Sequence, residues 1–379
     1  MNESIKKLIS TIIKHMIGLI SILSLFYFMD RGGIEKYAIA AAMSAFFLFL
    51  GRKSTWNFRA FLIVFIPLSV YLIVGGVSGM FRGTYQFSTV KNILYMLLPF
   101  FVSFSMFVCY GVDAERVVDW QLIACIITYF LPNALYIYLW FAWESTFAFS
   151  FGAFSIYYAY KKRWIFFGIS LILMYVCDNR IALLGVVLAL FVMMAVWFFQ
   201  NNKKFVCAIW ATITALIYGY LYLIYSGKLE AICWGLNINT NGRVQMYTRM
   251  ANQYNFLSHF WGNGIGIMEN LLEYLKIETY ANLHNDLLKF YIELGFLGLL
   301  LYLVSYYFVL DQINKYFGDR QMRCVLGMLV YSMVLYATDN VSIYLMYLIP
   351  FYSVLFAVLS PEKNSYDIER RNLNAKQTS

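Results

Sequence analysis

Hydrophobic positions in this chain come in long unbroken runs rather than in alternation. Runs of about 15–25 residues, the length that crosses a bilayer as a helix, recur from one end to the other. They predict twelve spans: 10–29, 34–51, 59–77, 92–110, 117–141, 147–160, 164–177, 181–199, 205–225, 286–309, 324–338 and 341–359. Spans 147–160, 164–177 and 324–338 are short, which fits tilted, re-entrant or merged segments. Only one polar interval, 226–285, is long enough to form a small domain. The chain therefore divides into nine spans over 1–225, a large loop, three spans over 286–359, and a polar tail over 360–379 that is expected to be disordered. The fold class is all-α: a polytopic transmembrane helix bundle with one large loop containing short helices.

Within the loop the pattern changes twice. Trp234 to Gly242 is rich in Asn, Gly and Thr and reads as turns. Residues 243–259 read as a short amphipathic helix, with Met246, Met250, Tyr254 and Leu257 on one stripe. A helix lying on the membrane surface or packed on the bundle accounts for that stripe. Trp261-Gly-Asn-Gly-Ile-Gly266 follows, and three alternating glycines call for positive φ or close backbone approach. No strand precedes them and no βαβ unit fits here, so they are not a dinucleotide fingerprint.

Composition agrees with lipid as the solvent. The chain is 61% hydrophobic and 13% charged, about half the charge of an average soluble domain. The first apolar run is not followed by a small-residue cleavage site and is expected to remain as a span. The net charge of +9 is the mark of basic cytoplasmic loops rather than of nucleic-acid binding. Placing the N-terminus inside puts Lys6, Arg52, Arg116, Lys161, Lys203, Arg320, Arg371 and their basic neighbours on the cytoplasmic side, most of the 29 Lys and Arg. Both termini are then cytoplasmic and the large loop lies outside. The six cysteines are scattered without CxxC spacing, so no disulfide framework is expected.

Candidate chemistry is sparse. His284 and Asn285 stand where the loop re-enters an apolar run, and Gly295 and Gly298 follow. At about 100° per residue, a regular helix brings Gly295 back under His284, with Gly298, Leu288, Tyr291 and Tyr302 on the same side. Two glycines would dock that face tightly on a neighbouring helix and fix His284 at its mouth. The alternative is a polar residue merely starting a helix. Asp286 and Glu293 share a different face, so neither would orient His284. Glu293, two turns into a span, would pair with an arginine or be protonated, in a structural or a functional role. Arg180, in Cys177-Asp178-Asn179-Arg180, runs against the charge trend. It either snorkels to headgroups or pairs with Asp178, or it clamps an anion with its guanidinium fork. Arg243 opens the loop helix, where backbone N–H groups also favour an anion; Arg249 points elsewhere, to water or a headgroup. No metal-ligand spacing, GxSxG or P-loop is present. Any catalysis would then draw its energy from the substrate's own leaving group, without ATP, cofactor or metal.

Taken together, Asn179-Arg180, Asn241-Gly242-Arg243, the glycines from 262 to 266 and His284-Asn285-x9-Gly295-x-x-Gly298 resemble the bacterial O-antigen polymerases (Wzy-type) and O-antigen ligases. Roughly residues 165–305 carry the resemblance; the N-terminal half matches in hydropathy alone. The last motif is specific for the family but not for polymerase over ligase. Departures are the compact loop and Asn179, where Ser is frequent.

The resemblance implies a metal-independent, inverting glycosyltransferase at the periplasmic face of the inner membrane. Its substrate would be an undecaprenyl-diphosphate-linked oligosaccharide, with membrane lipids and a chain-length regulator protein as further partners. Arg180 and Arg243 would grip the diphosphate, and His284 would act as general base. His284-Asn-Asp-Leu-Leu and the compact loop favour a repeat-unit polymerase for O-antigen or capsule over a ligase to lipid A-core. A lipid-linked oligosaccharide flippase is the reading from another class, but it predicts internal repeats that are absent from the sequence. A non-catalytic scaffold would not need the outer arginines. On the catalytic reading, Arg180, Arg243 and His284 should converge on one cavity.

Overall fold

In the computed structural model the described residues are 3–31, 35–51, 58–139, 145–200, 202–238, 240, 242–252, 261–274 and 283–360. Among them every regular element is helical. Nine helices precede the loop: α1 (Glu3–Arg31), α2 (Glu35–Gly51), α3 (Phe58–Arg82), α4 (Phe87–Tyr110), α5 (Ala114–Leu139), α6 (Phe147–Lys161), α7 (Trp164–Val176), α8 (Arg180–Phe198) and α9 (Lys203–Tyr225). The loop contributes three short ones, α10 (Lys228–Gly235), α11 (Arg243–Asn252) and α12 (Ile267–Tyr274). Then follow α13 (Asp286–Tyr316), α14 (Asp319–Tyr336), a 3-10 turn at Val341–Ile343, and α15 (Leu345–Val358).

A helix thus lies over each predicted apolar run. Five of them, α3, α4, α8, α9 and α13, are long and apolar enough to cross a membrane, which makes this a multi-pass membrane protein. The large interval does hold short helices. The loop helix expected over 243–259 is described to Asn252; Tyr254, Leu257 and His259 lie outside the described residues. Of its stripe, Met246 and Met250 are buried, and α11 packs on α9 and α10. None of the six cysteines is in a disulfide.

Asparagines start the helices near the site. Asn179 accepts from the Ala182 N–H (3.0 Å) to cap α8. Asn202 caps α9 through Lys204 N–H (2.9 Å), and Asn285 caps α13 through Leu288 N–H (2.9 Å). Each supplies an acceptor to a donor the helix cannot satisfy itself. Between helices, small residues make room for rings. A Cβ at Gly185 of α8 would stand 2.7 Å from the Tyr331 ring of α14, whose hydroxyl donates to the Phe149 carbonyl of α6 (2.9 Å). Without side chains at Gly152 and Gly185, Tyr331 ties three helices together.

The helix carrying the motif does not follow the regular spacing expected of it. His284 stands outside α13, with Asn285 as the cap, and Gly295 breaks α13 with φ 77° and ψ 179°. The angular argument that stacked Gly295 under His284 therefore fails, because it assumed one continuous helix. Gly295 instead releases the carbonyls of the preceding turn. Those of Ile292, Glu293 and Leu294 accept from the backbone N–H groups of Asn263, Gly264 and Gly262 at 3.0–3.1 Å. The Asn263 side-chain amide adds a second donor to Ile292 (3.0 Å). The second glycine behaves as expected: a Cβ on Gly298 would lie 2.7 Å from Val74 of α3.

The glycines at 264 and 266 meet both sequence requirements. Gly264 has φ +97° and Gly266 φ +86°, and a Cβ on Gly266 would stand 2.7 Å from the backbone of Ser88 and Thr89. Gly266 N–H donates to the Glu293 carboxylate (2.9 Å), and Tyr71 of α3 donates to its other oxygen. Glu293 thus has no arginine partner among the described residues. Its fully buried carboxylate is answered by a backbone N–H and a phenol, which offsets the desolvation that otherwise makes such a group costly. One turn earlier the buried Lys289 donates to Asn92 of α4 (2.7 Å), and Asn92 donates to Glu269 of α12 (3.2 Å). Backbone and polar side chains together clamp the loop onto α3, α4 and α13.

Gly266→Ala should break this clamp, since it adds left-handed strain of about 1–2 kcal/mol to a backbone clash. The expected result is a melting temperature in detergent lower by about 1–3 °C from the strain alone and by more from the clash, or loss of folded protein. Gly168→Ala, at a helical glycine with open space around it, should leave the melt unchanged.

Candidate functional site

Two turns of chain meet where α13 begins. One is Leu283-His284-Asn285, leading into α13; the other is Thr338-Asp339-Asn340, between α14 and the 3-10 turn. The Asp286 N–H donates to the Asp339 carbonyl (3.2 Å). The Asp286 carboxylate accepts both the N–H (2.7 Å) and the hydroxyl of Ser342. Asn285, beyond capping α13, donates to the Tyr220 hydroxyl (2.9 Å), which donates to the Ala337 carbonyl (2.7 Å). The two turns are thus stitched together at three points, and none of those bonds uses the imidazole.

His284 is left-handed, with φ +51°, a conformation that is strained for a residue with a Cβ. Its carbonyl accepts from the Tyr247 hydroxyl (2.6 Å), which anchors the strained backbone to α11. In that pose Nδ1 lies 3.2 Å from Asp339 Oδ1. Asp339 Oδ1 also receives the Asn340 N–H (2.8 Å) and the Tyr344 hydroxyl (3.0 Å). Burial opposes the charge of Asp339. The bonds from the His284 side chain, the Asn340 N–H and Tyr344 outweigh it and hold the carboxyl below the usual carboxylate range. An ionised carboxylate can only accept, so the ring hydrogen that faces it is on Nδ1, and Nε2 is the nitrogen turned away from Asp339. The His284 and Asp339 side chains are a quarter and a sixth exposed, at 25% and 17%. The pair is sheltered yet reachable.

Arg243 opens α11 one turn before Tyr247, so one helix face presents both to the paired turns. Its guanidinium reaches the Thr338 carbonyl at 3.5 Å, a long contact that uses one of five N–H groups. Arg180, the first residue of α8, is exposed, as is Arg249. The next residue, Ile181, lines a cavity of about 700 Å³ together with Tyr220, Leu287 and Thr338. From there the cavity runs along α8, α9 and α14 between apolar side chains such as Leu188 and Ile213. Arg180 is thus the neighbour in sequence of a residue in the groove wall, and that wall also contains Thr338, whose carbonyl Arg243 reaches.

Sequence reasoning missed Asp339. It searched for the carboxylate of His284 on His284's own helix and set aside Asp286 and Glu293. Asp286 indeed binds Ser342, and Glu293 binds Tyr71 and Gly266. The signal was an acid between Thr338 and Asn340, in a short polar break between two apolar runs, on the side assigned to the loop. Asn241, part of the Arg243 motif, lies outside the described residues.

Residues 164–303 match a family model described as O-antigen ligase (Wzy_C). That match, over less than half of the chain, supports a relation to the O-antigen ligase/polymerase family. No curated protein matches it. The family segment begins at α7 and ends within α13, so it includes Arg180, Arg243 and His284 but not Asp339. The match points to a function of the O-antigen ligase/polymerase type, and the apolar helices agree with a multi-pass membrane protein.

Because Asp339 is held below its ordinary pKa, its charge adds stability above about pH 4, the usual carboxylate value. That contribution falls away as pH drops through the lowered folded value. Melting curves from about pH 6 to pH 3 should therefore show an acid loss that is smaller in Asp339→Asn. Equal losses in the two proteins would contradict the His284–Asp339 contact.

Proposed function

We propose that the chain is an O-antigen or capsule repeat-unit polymerase. It would transfer the growing glycan from undecaprenyl diphosphate to a lipid-linked repeat unit at the periplasmic face of the inner membrane. The observation that carries this reading is the His284–Asp339 pair beside Arg243, at the polar end of an apolar groove. Such a groove suits a prenyl chain, and the arginines at its end suit a diphosphate. A transporter needs no oriented imidazole there.

The step is an inverting displacement without a metal. The acceptor hydroxyl oxygen attacks the anomeric carbon from the face opposite the diphosphate. The carbon–oxygen bond to the diphosphate breaks, and its electron pair leaves with undecaprenyl diphosphate. His284 Nε2 takes the hydroxyl proton, and the Asp339 carboxylate stabilises the imidazolium that results. Arg180 and Arg243 balance the charge gathering on the leaving diphosphate. Arg249, exposed on α11, would have a supporting role with the headgroups. A chain-length regulator protein is the expected partner in the membrane.

A ligase that moves the finished glycan to lipid A-core uses the same chemistry, and the matching family model carries that description. The glycan ladder of a strain lacking the native protein separates the two. His284→Ala and Arg243→Ala should fail to restore it, with His284→Ala losing about 10²–10⁴-fold in rate. Loss of long ladders with one repeat unit still on the core marks a polymerase, and loss of all attachment marks a ligase. Full ladders from His284→Ala would refute the catalytic assignment. Asp339→Asn should fall between His284→Ala and the native protein.

A further inference from the structure

A second cavity, of about 270 Å³, opens between α10 and α11, with Gly242 in its lining. Its walls include Glu230, Trp234, Asn237, Thr240 and Gln245, which offer a carboxylate, two amides, a hydroxyl and an indole. Among the described residues lining it there is no Lys, Arg or His, and the groups present suit an uncharged polar ligand. Trp234 is 70% exposed, which leaves much of an aromatic surface open to a ligand.

One atom in this wall lacks a partner. The Gln245 side-chain oxygen is buried and meets no hydrogen-bonding group among the described residues. A buried acceptor left unsatisfied costs about 1–3 kcal/mol, and a ligand hydroxyl is the kind of donor that would satisfy it. The backbone frames the cavity as well. Asn237 and Gly242 both take positive φ, at 52° and 77°, and bend the chain between α10 and α11 around it. The Arg243 N–H donates to the Thr240 carbonyl (3.0 Å), so the cavity wall is joined directly to the residue that reaches the Thr338 turn.

We propose that this cavity is a subsite for an uncharged sugar residue of the glycan substrate, remote from the reacting bond. The proposal rests on the glycan-transfer reading above. A pyranose has an apolar C–H face for the Trp234 indole. Its hydroxyls donate to Gln245 and Glu230 and accept from Asn237 and Thr240. At about 30 Å³ per water, the cavity holds several waters for a ring to displace. Glu230 sets the selection by charge, because a carboxylate-bearing sugar would bring a second anion against it.

The test uses the full chain in nanodiscs. The probe is the organism's own lipid-linked oligosaccharide, both intact and as the free oligosaccharide released by mild acid. Saturation-transfer NMR should show the free oligosaccharide bound to the native protein and equally to His284→Ala. The signal should vanish in Trp234→Ala and Gln245→Leu and persist in Trp234→Phe. With the intact substrate, Trp234→Ala and Gln245→Leu should raise KM about tenfold, the worth of one such contact, with kcat within twofold. Glucuronic acid should compete poorly with the native protein and better with Glu230→Gln.

If both variants melt like the native protein and keep KM and the NMR signal, the subsite is refuted. It is also refuted if phospholipid alone displaces the oligosaccharide, since the cavity would then be a lipid site. If His284→Ala remains fully active, the transfer reading falls instead, and the NMR titration still judges the cavity.

Discussion

The break at Gly295 is the constraint on which the rest of the molecule near the site depends. An uninterrupted α13 would use the carbonyls of Ile292, Glu293 and Leu294 within itself, and the loop would have nothing to hold. With the helix broken, those carbonyls must find donors, because a bare backbone group in an apolar surrounding is costly. The N–H groups of residues 262–264 supply them. Glu293 extends the same contact through Gly266 and Tyr71. The loop is therefore held by main chain, which is insensitive to side-chain identity except where glycine is required.

That fixed loop and the start of α13 then set the site. α11 brings Tyr247 to the His284 carbonyl and Arg243 to the Thr338 carbonyl. Asp286 and Asn285 hold the neighbouring turn through Ser342 and Tyr220. The imidazole and the carboxylate meet across two turns whose backbones are already immobilised, with Asn340 and Tyr344 also donating to the carboxylate. On the proposed function, orienting the base would cost little entropy at the moment of reaction.

Much of this was legible in the sequence. Apolar run length located the helices, because membrane spans leave little alternative to helix. Alternating glycines correctly announced close backbone approach, and Gly298 announced contact with another helix. The relation between His284 and Gly295 was not legible, since the spacing argument could not know that the second residue ends the helix. Asp339 was hidden for a different reason. It is distant in sequence from His284, and no local period links residues on separate helices. The cavity between α10 and α11 depends on two positive-φ residues, Asn237 and Gly242, of which only the glycine stands out in the sequence.

The groove beside the site has exposed walls: Leu184, Phe191 and Leu216 are 50%, 61% and 68% exposed. In a membrane that exposure faces acyl chains, so the groove is open sideways. A lipid-borne molecule reaching His284 by this path travels in two dimensions and does not leave the bilayer. Its encounter rate then scales with the number of carriers per unit of membrane area, and the volume of the surrounding water does not enter. Diluting the protein with extra lipid would slow such a reaction, whereas diluting the suspension with buffer would not.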